Sequence, residues 1–170
     1  MNADELKALQ APLKQKYNET PEAAVVTLRA SGEATGALTC KVSTGKALVE
    51  AGLHPATGGD GWFACSGDML LEALVACAGV TLRAVATAIG VGLRRATVTA
   101  EGDLDFRGTL GVAKDAPVGF RAIRLRFDID SDATEEQQGT LLRLTERYCV
   151  VLQTLRQPPP VSASVQATRT

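Results

Sequence analysis

Apolar residues follow two periods along the chain, and the switches between them mark out the predicted elements. In residues 3–17, Leu6, Leu9 and Leu13 recur near helical spacing, which predicts a short peripheral helix with Pro12 as its weak point. Beyond Pro21, Ala24, Val26, Leu28 and Ala30 alternate, and Leu38, Cys40 and Val42 resume that period after a turn at residues 31–36. This pattern predicts a hairpin. Residues 50–65 hold His54, Pro55, Gly58, Gly59, Asp60 and Gly61, a composition that predicts a long loop.

A long apolar run then occupies residues 69–89, with Ser66 as its predicted cap and Gly90 and Gly92 as its stop. Glu72, Ala76, Gly79 and Arg83 share one stripe of this helix, where a close neighbour can pack. Val98, Ala100, Gly102, Leu104 and Phe106 alternate with polar residues, as do Ile123, Leu125, Phe127 and Ile129. Each pattern predicts a strand with one buried face. From Thr134, Leu141, Leu144, Tyr148, Val151 and Leu155 line one side of a second helix that runs to the prolines at 158–160, and residues 161–167 predict a last strand. Strands, helix, strands, helix and strand in that order predict an α+β fold with a largely antiparallel sheet. No linker or repeat interrupts residues 1–170, so one domain is expected, with residues 1–20 as a peripheral helix and lead-in.

Composition narrows the class. The chain has 170 residues, 45% of them apolar, enough for a core that needs no disulfide or metal staple. A formal net charge of −1 supplies no basic field for nucleic acid or anionic lipid, so neither is an expected partner. The run at 69–89 approaches membrane-spanning length, but Glu72 and Arg83 lie within it and a buried core helix is the preferred reading. The amino-terminal residues lack a signal-peptide pattern, which predicts a cytoplasmic, reducing location.

In that setting the four cysteines, at 40, 65, 77 and 149, are judged singly, since no CxxC pair suggests zinc. Cys40 alternates with core residues. Cys77 and Cys149 both read as small core hydrophobes on composition alone, with Arg147 near the second as a group that favours a thiolate. His54, the lone histidine, sits in a loop that leads toward the Cys77 helix. Trp62 stands at the same loop's end. Gly58, Gly59 and Gly61 precede no Lys-Ser/Thr and complete no phosphate loop.

Two blocks raise the standing of the thiol pair. Residues 66–86, SGDMLLEALVACAGVTLRAVA, resemble the central-helix signature of the OsmC family, including its organic hydroperoxide resistance branch. Residues 146–155, ERYCVVLQTL, resemble that family's later cysteine motif. The resemblance extends over residues 23–167. It implies an intertwined homodimer with an apolar central helix at its heart, and thiol-dependent reduction of organic hydroperoxides or hydrogen peroxide. Cys77 would be the peroxidatic residue and Cys149 the resolving one. An external dithiol of the lipoyl or thioredoxin type would restore the pair, with no cofactor.

Three departures stand out. Where the family carries a glutamate at the helix start, this chain has Gly67, followed by Asp68. The early turn has no arginine, which leaves Arg29 upstream as the candidate substitute. Val150 replaces the proline that follows the second cysteine. His54, Asp68, Arg29 and Trp62 are therefore the expected lining of the site. The competing readings are a noncatalytic small-molecule-binding protein of the same fold, and a redox sensor.

Overall fold

The computed structural model describes residues 2–20, 31–35, 39–43, 48–111 and 113–167. The amino-terminal helix α1 covers Ala3–Glu19 and continues through Pro12. Asn2 and Glu5 cap it reciprocally, the Glu5 N–H donating to Asn2 Oδ1 and the Asn2 N–H to Glu5 Oε2. α1 packs on the long central helix.

Strands β1 (Ser31–Thr35), β2 (Thr39–Ser43), β3 (Leu48–Gly52) and β4 (Ala64–Cys65) form a sheet in that order. The first two pairings are antiparallel and β3–β4 is parallel. Two expectations change here. The turn read at residues 31–36 is mostly strand, and the loop read at residues 50–65 contains the end of β3 and all of β4. Neither was visible in periodicity, because a two-residue strand exists only through its partner. Gly52 is required there, since a Cβ would lie 2.9 Å from Phe63 Cβ. The strand expected at Ala24 to Ala30 lies outside the described residues.

β4 leads directly into α2 (Ser66–Ile89), whose cap residue is Cys65 rather than Ser66 and makes no side-chain cap bond. Gly90 ends the helix at φ 73°, a left-handed conformation that glycine adopts without steric cost. Leu74, Ala78, Leu82, Val85 and Ala86 form its buried face. The opposite face is open in this chain: Val80 is 73% exposed, and only 28% of the most apolar window of α2 is buried. The core helix inferred from sequence is thus covered on one side alone.

β5 (Leu93–Asp103) and β6 (Ala122–Ser131) pair antiparallel, with Val98 opposite Phe127 and Ala100 opposite Leu125. Their inner residues pack on α2, while Arg94 pairs with Asp130 and Arg124 with Asp103 on the outer face. A short helix α3 (Phe106–Thr109) follows β5. Thr134 and Gln137 form a capping box that starts α4 (Glu135–Tyr148). The second helix predicted from Thr134 is broken at Cys149, and α5 (Val150–Arg156) follows. Residues 161–167 adopt no strand, because alternation alone makes none without a ladder partner, and they pair with no strand among the described residues.

Candidate functional site

α2 and the α4–α5 joint bring Cys77 and Cys149 together. Cys77 lies on the middle of α2, half-buried, and packs against the cluster of Leu74, Ala78, Cys149 and Leu152. Cys149 is the single residue between α4 and α5 and has no exposed surface. Its φ of −73° and ψ of 104° are extended, so the helix turns there. That turn frees the first amides of α5. The Val151 and Val150 amides, the Cys149 thiol and the Thr81 hydroxyl one turn along α2 are the groups that favour the Cys77 thiolate.

The two thiols are driven apart in acidity. Burial alone raises Cys77, but the Val151 amide, the Cys149 thiol, the Val150 amide and the Thr81 hydroxyl together outweigh it and hold its pKa below the ordinary thiol value. Burial pushes Cys149 up, and the neighbouring Cys77 adds to that. One sulfur is thereby predisposed to be a thiolate and the other a proton-bearing donor beside it.

The other expected lining residues stand elsewhere. His54 accepts a hydrogen bond from the Ala56 N–H through Nδ1 at 3.0 Å and stacks on Phe106 with ring centroids 4.9 Å apart. With Cys65, Asp68 and Phe120 it lines a cleft of ≈ 360 Å³ at the start of α2, and neither Cys77 nor Cys149 lines that cleft. Trp62 is 86% exposed. Arg29 lies outside the described residues. Among the described residues no group of three or more His, Cys, Asp or Glu side chains is placed to hold a metal.

A second cleft of ≈ 340 Å³ lies on the far side of α5, where Phe120, Ile123, Leu125, Leu152 and Leu155 form apolar walls near Arg121, Glu146 and Arg156. Leu152 contributes both to this cleft and to the cluster that holds the thiol pair, as do Ile123, Leu125 and Leu155.

Residues 58–164 match the OsmC-like protein family. The chain belongs to that family. Solved structures agree in fold. An OsmC-like protein from Mycoplasma pneumoniae superposes with a TM-score of 0.66 at 16% identity, covering 78% of this chain and 89% of that one. Organic hydroperoxide resistance proteins from Elizabethkingia anophelis and Legionella pneumophila give TM-scores of 0.64 and 0.62, both at 18% identity and over 79% of this chain, covering 91% and 92% of theirs. No curated protein matches significantly.

Within this OsmC-like chain, the groups that act on Cys77 are uncharged hydrogen-bond donors, not the residues expected to line the site. Thr81 carried a signal, since it follows Cys77 by four residues and so shares its helix face. The Val150 and Val151 amides carried none, because their direction depends on the break at Cys149.

Proposed function

We propose that this OsmC-like protein is a thiol-dependent peroxidase acting through Cys77 and Cys149. The observation that carries the reading is the facing pair itself, with Cys77 lowered and Cys149 raised in pKa. The Cys77 thiolate attacks the terminal oxygen of a hydroperoxide, breaking the O–O bond. The sulfur becomes a sulfenic acid, and the leaving alkoxide takes up a proton and departs as an alcohol, or as water from hydrogen peroxide. The Cys149 sulfur then displaces hydroxide from that sulfenic acid, forming a disulfide and releasing water. An external dithiol of the lipoyl or thioredoxin type reduces the disulfide by exchange and leaves oxidised. Such cycling suits a reducing compartment such as the cytoplasm.

The working unit in this reading is a homodimer. Support comes from the uncovered apolar face of α2, where Leu70 and Val80 are exposed, and from the carboxy-terminal segment with Val161 and Val165 almost fully exposed. Contiguous apolar surface of this kind marks an association site.

Thiol counting and intact-mass measurement before and after stoichiometric cumene hydroperoxide or hydrogen peroxide test the chemistry. Loss of two thiols with formation of a Cys77–Cys149 disulfide is expected, and Cys149→Ser should trap oxidised Cys77. Thiols that survive excess peroxide would sink the peroxidase reading. A small-molecule-binding role, favoured by the cleft of mixed polar and apolar lining beside Leu152, would then take its place.

A further inference from the structure

The break at Cys149 has a competitor. In an unbroken helix the N–H groups of Val150, Val151 and Leu152 would bond the carbonyls of Glu146, Arg147 and Tyr148. The helical period supports that alternative, since Leu144, Tyr148, Val151 and Leu155 continue one face across residue 149. Val150 does not forbid it, whereas a proline at this first helical position would remove the N–H and fix the turn. Regular bonding persists up to the joint on both sides, with the Cys149 N–H on the Thr145 carbonyl at 3.0 Å and the Gln153 N–H on the Cys149 carbonyl at 2.9 Å.

Two side chains from α5 reach back across the joint, and both land on Glu146. Gln153 Nε2 donates to the Glu146 carbonyl at 2.8 Å, taking the position that the Val150 N–H would fill in a continuous helix. Arg156 NH1 donates to Glu146 Oε2 at 3.2 Å. The carbonyl orphaned by the turn is thus satisfied, and the two helices are tied at a fixed angle. We propose that Glu146, Gln153 and Arg156 are positioning residues of the thiol site, a clamp that holds the break at Cys149 and keeps the Val150 and Val151 amides turned onto Cys77. In this chain the clamp does the work that an imino ring at position 150 would otherwise do. The inference rests on the reading of Cys77 as the reactive thiol.

The test is the pH profile of Cys77 alkylation by iodoacetamide in the reduced full chain, followed by peptide mass spectrometry, with far-UV circular dichroism to confirm folding. In Gln153→Leu and Arg156→Ala the midpoint of the profile should move to higher pH. The rate near pH 7 should fall by up to about tenfold, the equivalent of one charge-assisted hydrogen bond of about 1.4 kcal/mol. The plateau rate at high pH should hold, whereas simple loosening would speed alkylation at every pH. Exchanging the charges in Glu146→Arg/Arg156→Glu should return the midpoint toward wild type relative to Arg156→Ala. If Gln153→Leu does not fold, the near-isosteric Gln153→Glu, which lacks the donor, replaces it.

An unmoved midpoint in folded single variants, faster alkylation at all pH, or no recovery in the charge exchange would overturn the clamp. Alkylation needs no peroxide, so the two proposals fail separately. A shifted midpoint in a protein inert to peroxide retains the clamp and removes the peroxidase. Peroxide-driven disulfide formation with an unmoved midpoint does the reverse.

Discussion

Replacing Leu74 by alanine removes a side chain with no exposed surface from the cluster that seats both thiols. Leucine-to-alanine changes in cores cost about 2–5 kcal/mol, with the spread set by how far the site can collapse. Collapse is restricted here. Ala78 and Ala100 have no side chain to extend into the void, and the sheet register fixes Val98, Ile123 and Leu125 behind it. The upper half of the range, about 3–5 kcal/mol, is therefore expected. For a chain of 170 residues each kcal/mol lowers Tm by about 2–4 °C, which gives a fall of roughly 6–20 °C. Leu70→Ala, one turn earlier but 37% exposed, has the same change in helix propensity and should cost less than about 1.5 kcal/mol. Thermal unfolding by circular dichroism at one fixed protein concentration makes the comparison, since association would add its own concentration dependence. The void also borders Cys149, so a thiol-titrating disulfide reagent should reach the second thiol faster in the native variant. Equal losses for Leu74→Ala and Leu70→Ala at a concentration where the chain is monomeric would refute the assignment of the buried face of α2.

Thr81→Val removes the hydroxyl donor to Cys77 and keeps the shape, so alkylation of Cys77 near pH 7 should slow by about two- to tenfold, from the roughly 0.5–1.5 kcal/mol of one hydrogen bond; an unchanged rate would exclude Thr81 from the site. Thr145 is fully buried and its hydroxyl has no hydrogen-bond partner among the described residues. Thr145→Val should therefore raise stability by about 1 kcal/mol in denaturant unfolding, and a loss would show that the hydroxyl is satisfied. The thiols also predict a pH signature. Cys149 is raised, so its contribution to stability is complete below the unfolded thiol value of about 8.5 and is lost as pH climbs through the higher folded value. Cys77 is lowered, so its contribution is present above about 8.5 and is lost as pH falls through the folded value. Wild type minus Cys149→Ser should thus lose stability on the alkaline side, and wild type minus Cys77→Ser on the neutral side; flat difference curves would contradict both directions. Gly108→Ala places a Cβ 2.5 Å from the Pro117 carbonyl oxygen, and a backbone atom yields little. A loss of about 1–3 kcal/mol is expected by chemical denaturation, and a neutral result would mean that the segment around Pro117 moves freely.

Periodicity located α2, β5, β6 and α4 because each has one buried and one open face, and that contrast is written in the residues themselves. It carried through Cys149 without a mark, since the joint preserves the apolar face while changing the direction of the chain. Pairing decided the remainder. Val161 and Val165 alternate as a strand would, yet no strand among the described residues pairs with them, while Ala64 and Cys65 form a strand only because β3 is adjacent. For the site, residue type alone left Cys77 and Cys149 as core residues and the resemblance singled them out; the structure packs them in one cluster. The groups that tune them are two valine amides and a threonine, residues whose composition advertises no chemistry.

A joint one residue long leaves no slack for insertions. Adding a residue to the last turn of α4 would rotate everything after it by about 100° and advance it by about 1.5 Å, carrying the Cys149 sulfur off the face that meets α2. Deleting one would do the same in the opposite sense. Length variation is readily accommodated in exposed loops, but the spacing between Thr134 and Cys149 is metrically fixed by the packing of Cys149 against α2. In a set of length variants, those altered between these two residues should lose the thiol pair while retaining their helices, a separation of foldedness from thiol pairing that point substitutions seldom give so cleanly.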